Sequence, residues 1–171
     1  REFPIEIELS WIEMQTGPLV MSFILDITER KQAAAALDEQ RRFLRQVIDV
    51  SPSLISVKDD TGRFLLANPR VAHLYNTTVE SLVGQRDADF NRDPQEVAAL
   101  LAADQQVITS GEPLVFEEAL TNTHGETQWF QTTKVPIMSA DGHSKLVLGI
   151  ATDITARKQN ELLMQQALAK E

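Results

Sequence analysis

Two copies of one seven-residue motif frame the chain, DITERKQ at residues 26–32 and DITARKQ at residues 153–159. The copies begin 127 positions apart, which is about the length of one small domain. Each follows a strand-like stretch and opens a helix-like one, and upstream of them residues 3–12 correspond to residues 128–137. A repeat at this spacing indicates that the same structural unit ends twice within the chain.

The repeat predicts how the chain is divided. Because the first copy comes early, residues 1–27 are expected to form the C-terminal hairpin of a preceding, truncated domain of the same kind. A chain that begins at Arg1 is accordingly expected to be a fragment of a longer protein. Residues 28–49 are predicted to form a linker helix, residues 50–155 a complete domain, and residues 156–171 an exit linker helix.

Turn and cap signals divide the complete domain into hairpins and helices. Asn68-Pro69 and Asp93-Pro94 each place a capping side chain before a proline, which is typical of a helix start. The order β-β-α-α-α-β-β-β predicts an antiparallel sheet with helices on one face, an α+β fold. The predicted strands are residues 54–58, 63–67, 114–121, 127–137 and 145–153.

The linker helix carries a stripe of mostly apolar residues spaced alternately by four and three. This spacing suits a short coiled-coil seam and predicts a homodimer that forms through the linker helices. The alternative is an ordinary amphipathic helix that lies on its own domain. The stripe consists of Ala33, Leu37, Gln40, Leu44 and Val47.

Several short segments, taken in order, resemble the PAS domain family of bacterial multi-domain signalling proteins. They are IDVSP at residues 48–52, GRFLLAN at 62–68, GQRDADF at 84–90, WFQTTKVP at 129–136 and the terminal DIT motif. The resemblance implies a five-stranded antiparallel sheet that cups a pocket under helices and is flanked by N- and C-terminal linker helices. It also implies a linked output domain outside this chain, of the histidine kinase or diguanylate cyclase type.

The resemblance implies a sensory module that binds an unidentified small molecule, relays signals through its flanking helices, or does both. The alternative is a ligand-free PAS module for dimerisation or spacing. The fragment is expected to be non-catalytic, because the sequence has no phosphate-binding loop, nucleophile elbow or metal-spaced cluster of His and carboxylates.

Composition excludes several further classes. The net charge of −9 opposes binding to nucleic acid and to anionic membranes. The longest apolar run, at residues 146–152, is far shorter than the roughly 20 residues of a membrane span. No membrane insertion is therefore predicted for this fragment, and a cytoplasmic location is expected.

Cofactor predictions rest on cysteine and histidine. The chain has no cysteine, whereas the flavin photoreceptors of the PAS family attach flavin through a cysteine. Haem-binding relatives use a histidine on the long helix, and residues 94–109 contain none. His73, His124 and His143 are predicted to be surface or hydrogen-bonded residues. The expected cofactor is thus an unknown small molecule or none, with no haem, flavin or metal.

Two polar residues at apolar positions mark the candidate pocket. Asp104 lies within the apolar stripe of the long helix, and Phe130, Thr132 and Lys134 alternate onto one face of a strand. If that face lines the pocket, Asp104 and Lys134 meet there, because a buried charge must be paired. They form either a structural ion pair or a site for a small polar ligand. Tyr75 and Phe90 are further candidates for the pocket lining, with a plain core role as the alternative.

The second motif copy is predicted to be a signal-transmission junction. Asp153 ends the last strand, and Thr155 is placed to cap the exit helix. An Asp two residues before a Thr can bond its hydroxyl or nearby amides and so fix the angle between strand and helix.

Overall fold

The computed structural model describes residues 2–140, 142 and 145–168. The chain divides into two compact units, residues 1–47 and residues 48–171. His143, one of the three histidines considered above, lies outside the described residues.

The first unit contains a long hairpin and most of a long helix. Strands β1 (Ile5–Met14) and β2 (Gly17–Asp26) pair antiparallel. Gly17 supplies the positive φ of 117° that the tight turn requires. Helix α1 (Thr28–Val50) follows. Apolar side chains are exposed along the hairpin, with Trp11 72% exposed. The hairpin of β1 and β2 occupies the region that the sequence assigns to the end of a preceding domain, and that assignment remains a prediction.

The second unit is built on an antiparallel sheet that has five strands in the described part of the chain. Their order across the sheet is β4-β3-β7-β6-β5. The long β6 pairs with β5 on one side and β7 on the other, while β3 joins β7 to β4. The strands are β3 (Leu54–Lys58), β4 (Phe64–Ala67), β5 (Leu114–Thr121), β6 (Thr127–Met138) and β7 (Lys145–Asp153).

Helices between β4 and β5 pack against one face of this sheet. They are α2 (Pro69–Leu74), α3 (Val79–Leu82), a 3-10 turn at Asp87–Asp89 and α4 (Pro94–Ser110), and α5 (Thr155–Leu168) leaves the domain after β7. Side chains of Asn68 and Asp93 cap α2 and α4 as the sequence predicts. Gly111 ends α4 with a φ of 71°. The α+β fold with a five-stranded antiparallel sheet is confirmed.

The core lies between the sheet and α2, α3 and α4. Its buried side chains include Phe64 and Leu82, which are almost completely enclosed. The buried side of α4 includes Leu100, Ala103 and Val107, whereas Leu101 is 46% exposed. Asp104 remains inside the buried stripe.

Strand register supports the internal repeat. Asp26 of the first motif faces Ile5 across its hairpin, and Asp153 of the second faces Phe130. The two partners, Ile5 and Phe130, are equivalent positions in the correspondence between residues 3–12 and residues 128–137. The two copies of the motif thus end equivalent hairpins.

Candidate functional site

A cavity of about 60 Å³ lies between the sheet and the helices of the second unit. Strands β3, β5, β6 and β7 and helices α2 and α4 all contribute to its wall. A buried water needs roughly 10–15 Å³ of such space, so the cavity has room for several waters or for a ligand of a few non-hydrogen atoms.

The wall of the cavity carries a buried network of charges. Lys58 Nζ contacts Asp87 Oδ2 and lies 3.4 Å from Asp104 Oδ2. Lys134 Nζ contacts Asp104 Oδ1 at 2.5 Å and donates to the Leu100 carbonyl at 3.1 Å. Asp104 therefore bridges two lysines that come from different strands.

Ordinary secondary-structure periodicity places these groups. Lys58 is the last residue of β3, on the face shared by Leu54 and Ser56, which also line the cavity. Thr132 and Lys134 are both buried on β6, as their alternation predicts. The predicted meeting of Asp104 and Lys134 is confirmed.

Burial and pairing act against each other at Lys58, which is 5% exposed. Burial alone lowers the pKa of an ammonium group, but Asp87 and Asp104 together outweigh it, so the pKa of Lys58 lies above its usual 10.5. The same ammonium lies 4.7 Å from the centre of the Phe64 ring, a cation–π contact. Lys58 is thus held as a cation.

Tyr75 connects the aromatic core to the network. Its hydroxyl donates to Asp87 Oδ1 at 2.9 Å. Burial, followed by the negative charge of Asp87, raises the pKa of Tyr75 well above 10. The phenol is therefore a fixed hydrogen-bond donor at physiological pH.

Glu118 is a further carboxyl group on the cavity wall and is half-buried. Its Oε1 accepts a hydrogen bond from the Thr132 hydroxyl at 2.6 Å. Burial raises the pKa of this carboxyl, although the Thr132 bond and the nearby lysines oppose the rise. Glu118 thus differs from Asp87 and Asp104, which are in direct contact with ammonium groups.

The structure places four of the six predicted ligand-binding residues on the cavity wall, namely Tyr75, Asp104, Thr132 and Lys134. Phe90 and Phe130 are not among the residues that line it. Phe90 stacks on the Tyr75 ring with centroids 5.8 Å apart, and Phe130 is buried in the core. These two aromatic side chains therefore belong to the core beside the cavity.

Sequence reasoning missed Lys58, Asp87 and Glu118. A signal existed for Lys58, because a strand that starts Leu-Ile-Ser-Val-Lys places Ser56 and Lys58 on one face. Asp87 lies in a short 3-10 turn, where no periodicity reveals which side chain points inward. His73 and His124 are exposed, in agreement with the surface role predicted for them.

The junction after β7 is fixed by three hydrogen bonds. Asp153 Oδ1 accepts from the Thr155 N–H at 2.8 Å, and Ile154 N–H donates to the Trp129 carbonyl at 2.8 Å. The sequence predicts that the Thr155 hydroxyl caps α5, but the hydroxyl accepts from the Trp129 main-chain N–H at 2.9 Å. The Thr155 hydroxyl therefore links the start of the exit helix to β6. Asp153, rather than Thr155, caps α5.

The basic residues of the second motif attach the exit helix to the sheet. Arg157 and Lys158 both contact the carboxylate of Glu117 on β5. Lys158 Nζ also lies 5.2 Å from the centre of the Trp129 ring on β6. Hydrogen bonds from Lys158 and then Arg157 lower the pKa of Glu117. The first turn of α5 is therefore fastened to two neighbouring strands.

Comparison with known proteins identifies the class to which this α+β domain belongs. The family model described as the PAS fold matches residues 48–159. The PAS domain of BvgS from Bordetella pertussis has a similar structure, with a TM-score of 0.55 and 24% identity over 78% of this chain and 99% of that one. The chain belongs to the PAS-fold family.

Its relatives in sequence include a histidine kinase and a diguanylate cyclase. The chain is 31% identical to the methanogenesis regulatory histidine kinase FilI of Methanothrix harundinacea, over 91% of this chain and 17% of the relative. It is 37% identical to a diguanylate cyclase of Vibrio cholerae, over 59% of this chain and 32% of the relative. The chain therefore spans less than a third of either relative's length.

Among the residues that the structure describes, no helix is both long enough and apolar enough to cross a membrane.

Proposed function

We propose that the chain is a regulatory PAS module that binds a small polar molecule in the charged cavity and relays its occupancy to a linked output domain. The cavity carries this proposal, because five acidic or basic side chains from three strands, one helix and a 3-10 turn converge on about 60 Å³ of space. Buried ionisable groups in a concavity are typical of functional sites.

Native mass spectrometry of the purified chain tests this function. A retained molecule is expected as a discrete mass above that of the polypeptide, and denaturation should release it. The Asp104→Leu/Lys134→Met variant, which removes two polar groups from the cavity wall, should stay folded and retain less of that mass than the wild-type protein. An identical mass for native and denatured wild-type protein, together with no response to added ligands, would contradict ligand binding.

A ligand-free dimerisation or spacer module is the second candidate. The observation in its favour is that Lys58, Lys134, Asp87 and Asp104 already satisfy one another. Such a network can stabilise and specify a core without any ligand. The exposed apolar residues Leu37, Leu44 and Val47 on α1 support a homodimer through the linker helices, which the same mass spectra would report.

The junction at Asp153 and Thr155 is proposed to pass the signal to the exit helix. In the longer protein, Asp153→Ala or Thr155→Ala should uncouple output from the signal while the domain still folds, at a stability cost of about 1 kcal/mol. The measurement is the kinase or cyclase activity of the output domain in each signalling state, together with thermal denaturation.

Asp59→Ala provides the matched control for the junction variants. Asp59 Oδ1 accepts from the Thr61 and Arg63 N–H groups in the β3–β4 turn, so its removal breaks similar bonds far along the chain from the junction. This variant should lose similar stability and keep its regulation. Normal regulation in Asp153→Ala and Thr155→Ala would refute the relay role.

A further inference from the structure

We propose that the cavity selects a small ammonium ion, a protonated amine with only a few non-hydrogen atoms, and that Glu118 is its counter-ion. This inference rests on the proposed function, since it names the chemistry of the molecule that the cavity binds. It goes further by assigning the recognition to one carboxylate that faces the cavity.

The charges around the cavity do not balance when Glu118 is ionised. Lys58 and Lys134 supply two positive charges, and Asp87 and Asp104 supply two negative charges in direct contact with them. Glu118 adds a third carboxylate whose hydrogen bond comes from the neutral hydroxyl of Thr132. An ionised Glu118 therefore leaves the cavity with one negative charge in excess.

An anion is poorly matched to this wall. The ammonium of Lys58 contacts two carboxylates and the Phe64 ring, and that of Lys134 contacts Asp104 and the Leu100 carbonyl. Each ammonium thus has two oxygen partners for its three N–H donors. An incoming anion would compete for the remaining donor and would meet three carboxylates. A cation instead neutralises the excess negative charge and leaves the contacts of both lysines in place.

Glu118 is positioned for this role by its half-buried place on the inner face of β5. Desolvation disfavours its ionised form, as the raised pKa of this carboxyl shows. A bound ammonium would remove that penalty, because an opposite charge in contact restores the preference for the ionised form. Charge-assisted hydrogen bonds of this kind are among the stronger ones in proteins.

The volume limits the size of the cation. About 60 Å³ admits a group on the scale of several waters, which suits methylammonium or ethylammonium and excludes larger amines without rearrangement of the wall.

Isothermal titration calorimetry tests the inference with methylammonium and ethylammonium chloride, against sodium acetate at matched ionic strength. At about pH 8 an ordinary carboxyl is fully ionised and an alkylamine stays protonated. Both ammonium probes should bind wild-type protein and bind Glu118→Gln at least about tenfold more weakly, as expected for the loss of a charged hydrogen bond. Glutamine keeps the shape and the Thr132 bond, and circular dichroism would verify folding.

Glu112→Gln is the control, since it removes an exposed carboxylate from the same part of the sequence, two residues before β5. It should bind both probes within about twofold of wild type, well under the tenfold change that corresponds to about 1.4 kcal/mol. Equal binding by Glu118→Gln, tighter binding of acetate, or no binding of either ammonium would overturn the inference. If native mass spectrometry still finds a retained molecule, these results would refute the ammonium inference but not the proposed function. If no mass is retained and no ligand binds, both are refuted.

Discussion

Replacing Asp104 with leucine is expected to destabilise the PAS domain by about 3–5 kcal/mol, the usual cost of removing one partner from a buried ion pair. Asp104 is 3% exposed and contacts both Lys58 and Lys134. Lys58 would keep Asp87, but Lys134 would keep only the Leu100 carbonyl among its observed partners in the described residues. Chemical denaturation would measure the loss as a lower midpoint at unchanged slope.

A double variant separates the charge from the packing. Asp104→Leu/Lys134→Met replaces the pair by apolar side chains of similar size, which is often neutral or stabilising in other proteins. It should therefore recover most of the lost stability, with a coupling of about 2 kcal/mol or more between the two sites. Gln106→Ala, an exposed position of the same helix, should change stability by less than about 0.5 kcal/mol.

A loss below about 1 kcal/mol for Asp104→Leu would contradict this account, because it would mean that water solvates Lys134 in the folded protein. Failure of the double variant to recover would indicate that the aspartate contributes chiefly through its other partner, Lys58.

Asn68→Asp is expected to cost about 3–5 kcal/mol even though aspartate caps helices as well as asparagine does. Asn68 is completely buried. Its Oδ1 accepts from the N–H groups of Ile55 and Val71, while its Nδ2 donates to the carbonyls of Ile48 and Ser53. Aspartate keeps the two acceptor roles, but its second, negatively charged oxygen replaces the donating Nδ2 and faces two carbonyl oxygens.

The reverse exchange at another cap is the matched control. Asp93 caps α4 by accepting from the Gln95 and Glu96 N–H groups. Asp93→Asn should therefore cost less than about 1 kcal/mol, because asparagine offers the same acceptor. Thermal unfolding of both variants gives the comparison, and equal melting temperatures would show that Asn68 acts only as a helix cap.

The elements that were predicted from the sequence share strong local signals. Proline after a capping residue marks the starts of α2 and α4, and alternation placed Phe130, Thr132 and Lys134 on the buried face of β6. The contact between Asp104 and Lys134 followed because each stands out as a charge among apolar neighbours. Their assignment to a ligand remains a prediction.

The remainder of the site depends on distant packing. Asp87 becomes a cavity residue because its short turn lies opposite Lys58, which is 29 positions earlier. The sequence does not distinguish Phe90 and Phe130 from residues that line the cavity, because an aromatic side chain packs equally well in the core beside a cavity and on the cavity wall. The Thr155 hydroxyl bonds Trp129, 26 positions earlier, rather than its own helix.

The contact between Lys158 and Trp129 gives the protein an optical reporter. The chain has two tryptophans, Trp11 and Trp129. In a Trp11→Phe background, ultraviolet emission would arise from the indole that lies beneath the first turn of α5. Departure of the helix would change the polarity around that indole, so its emission wavelength would follow, without any attached dye, whether the helix stays on the sheet.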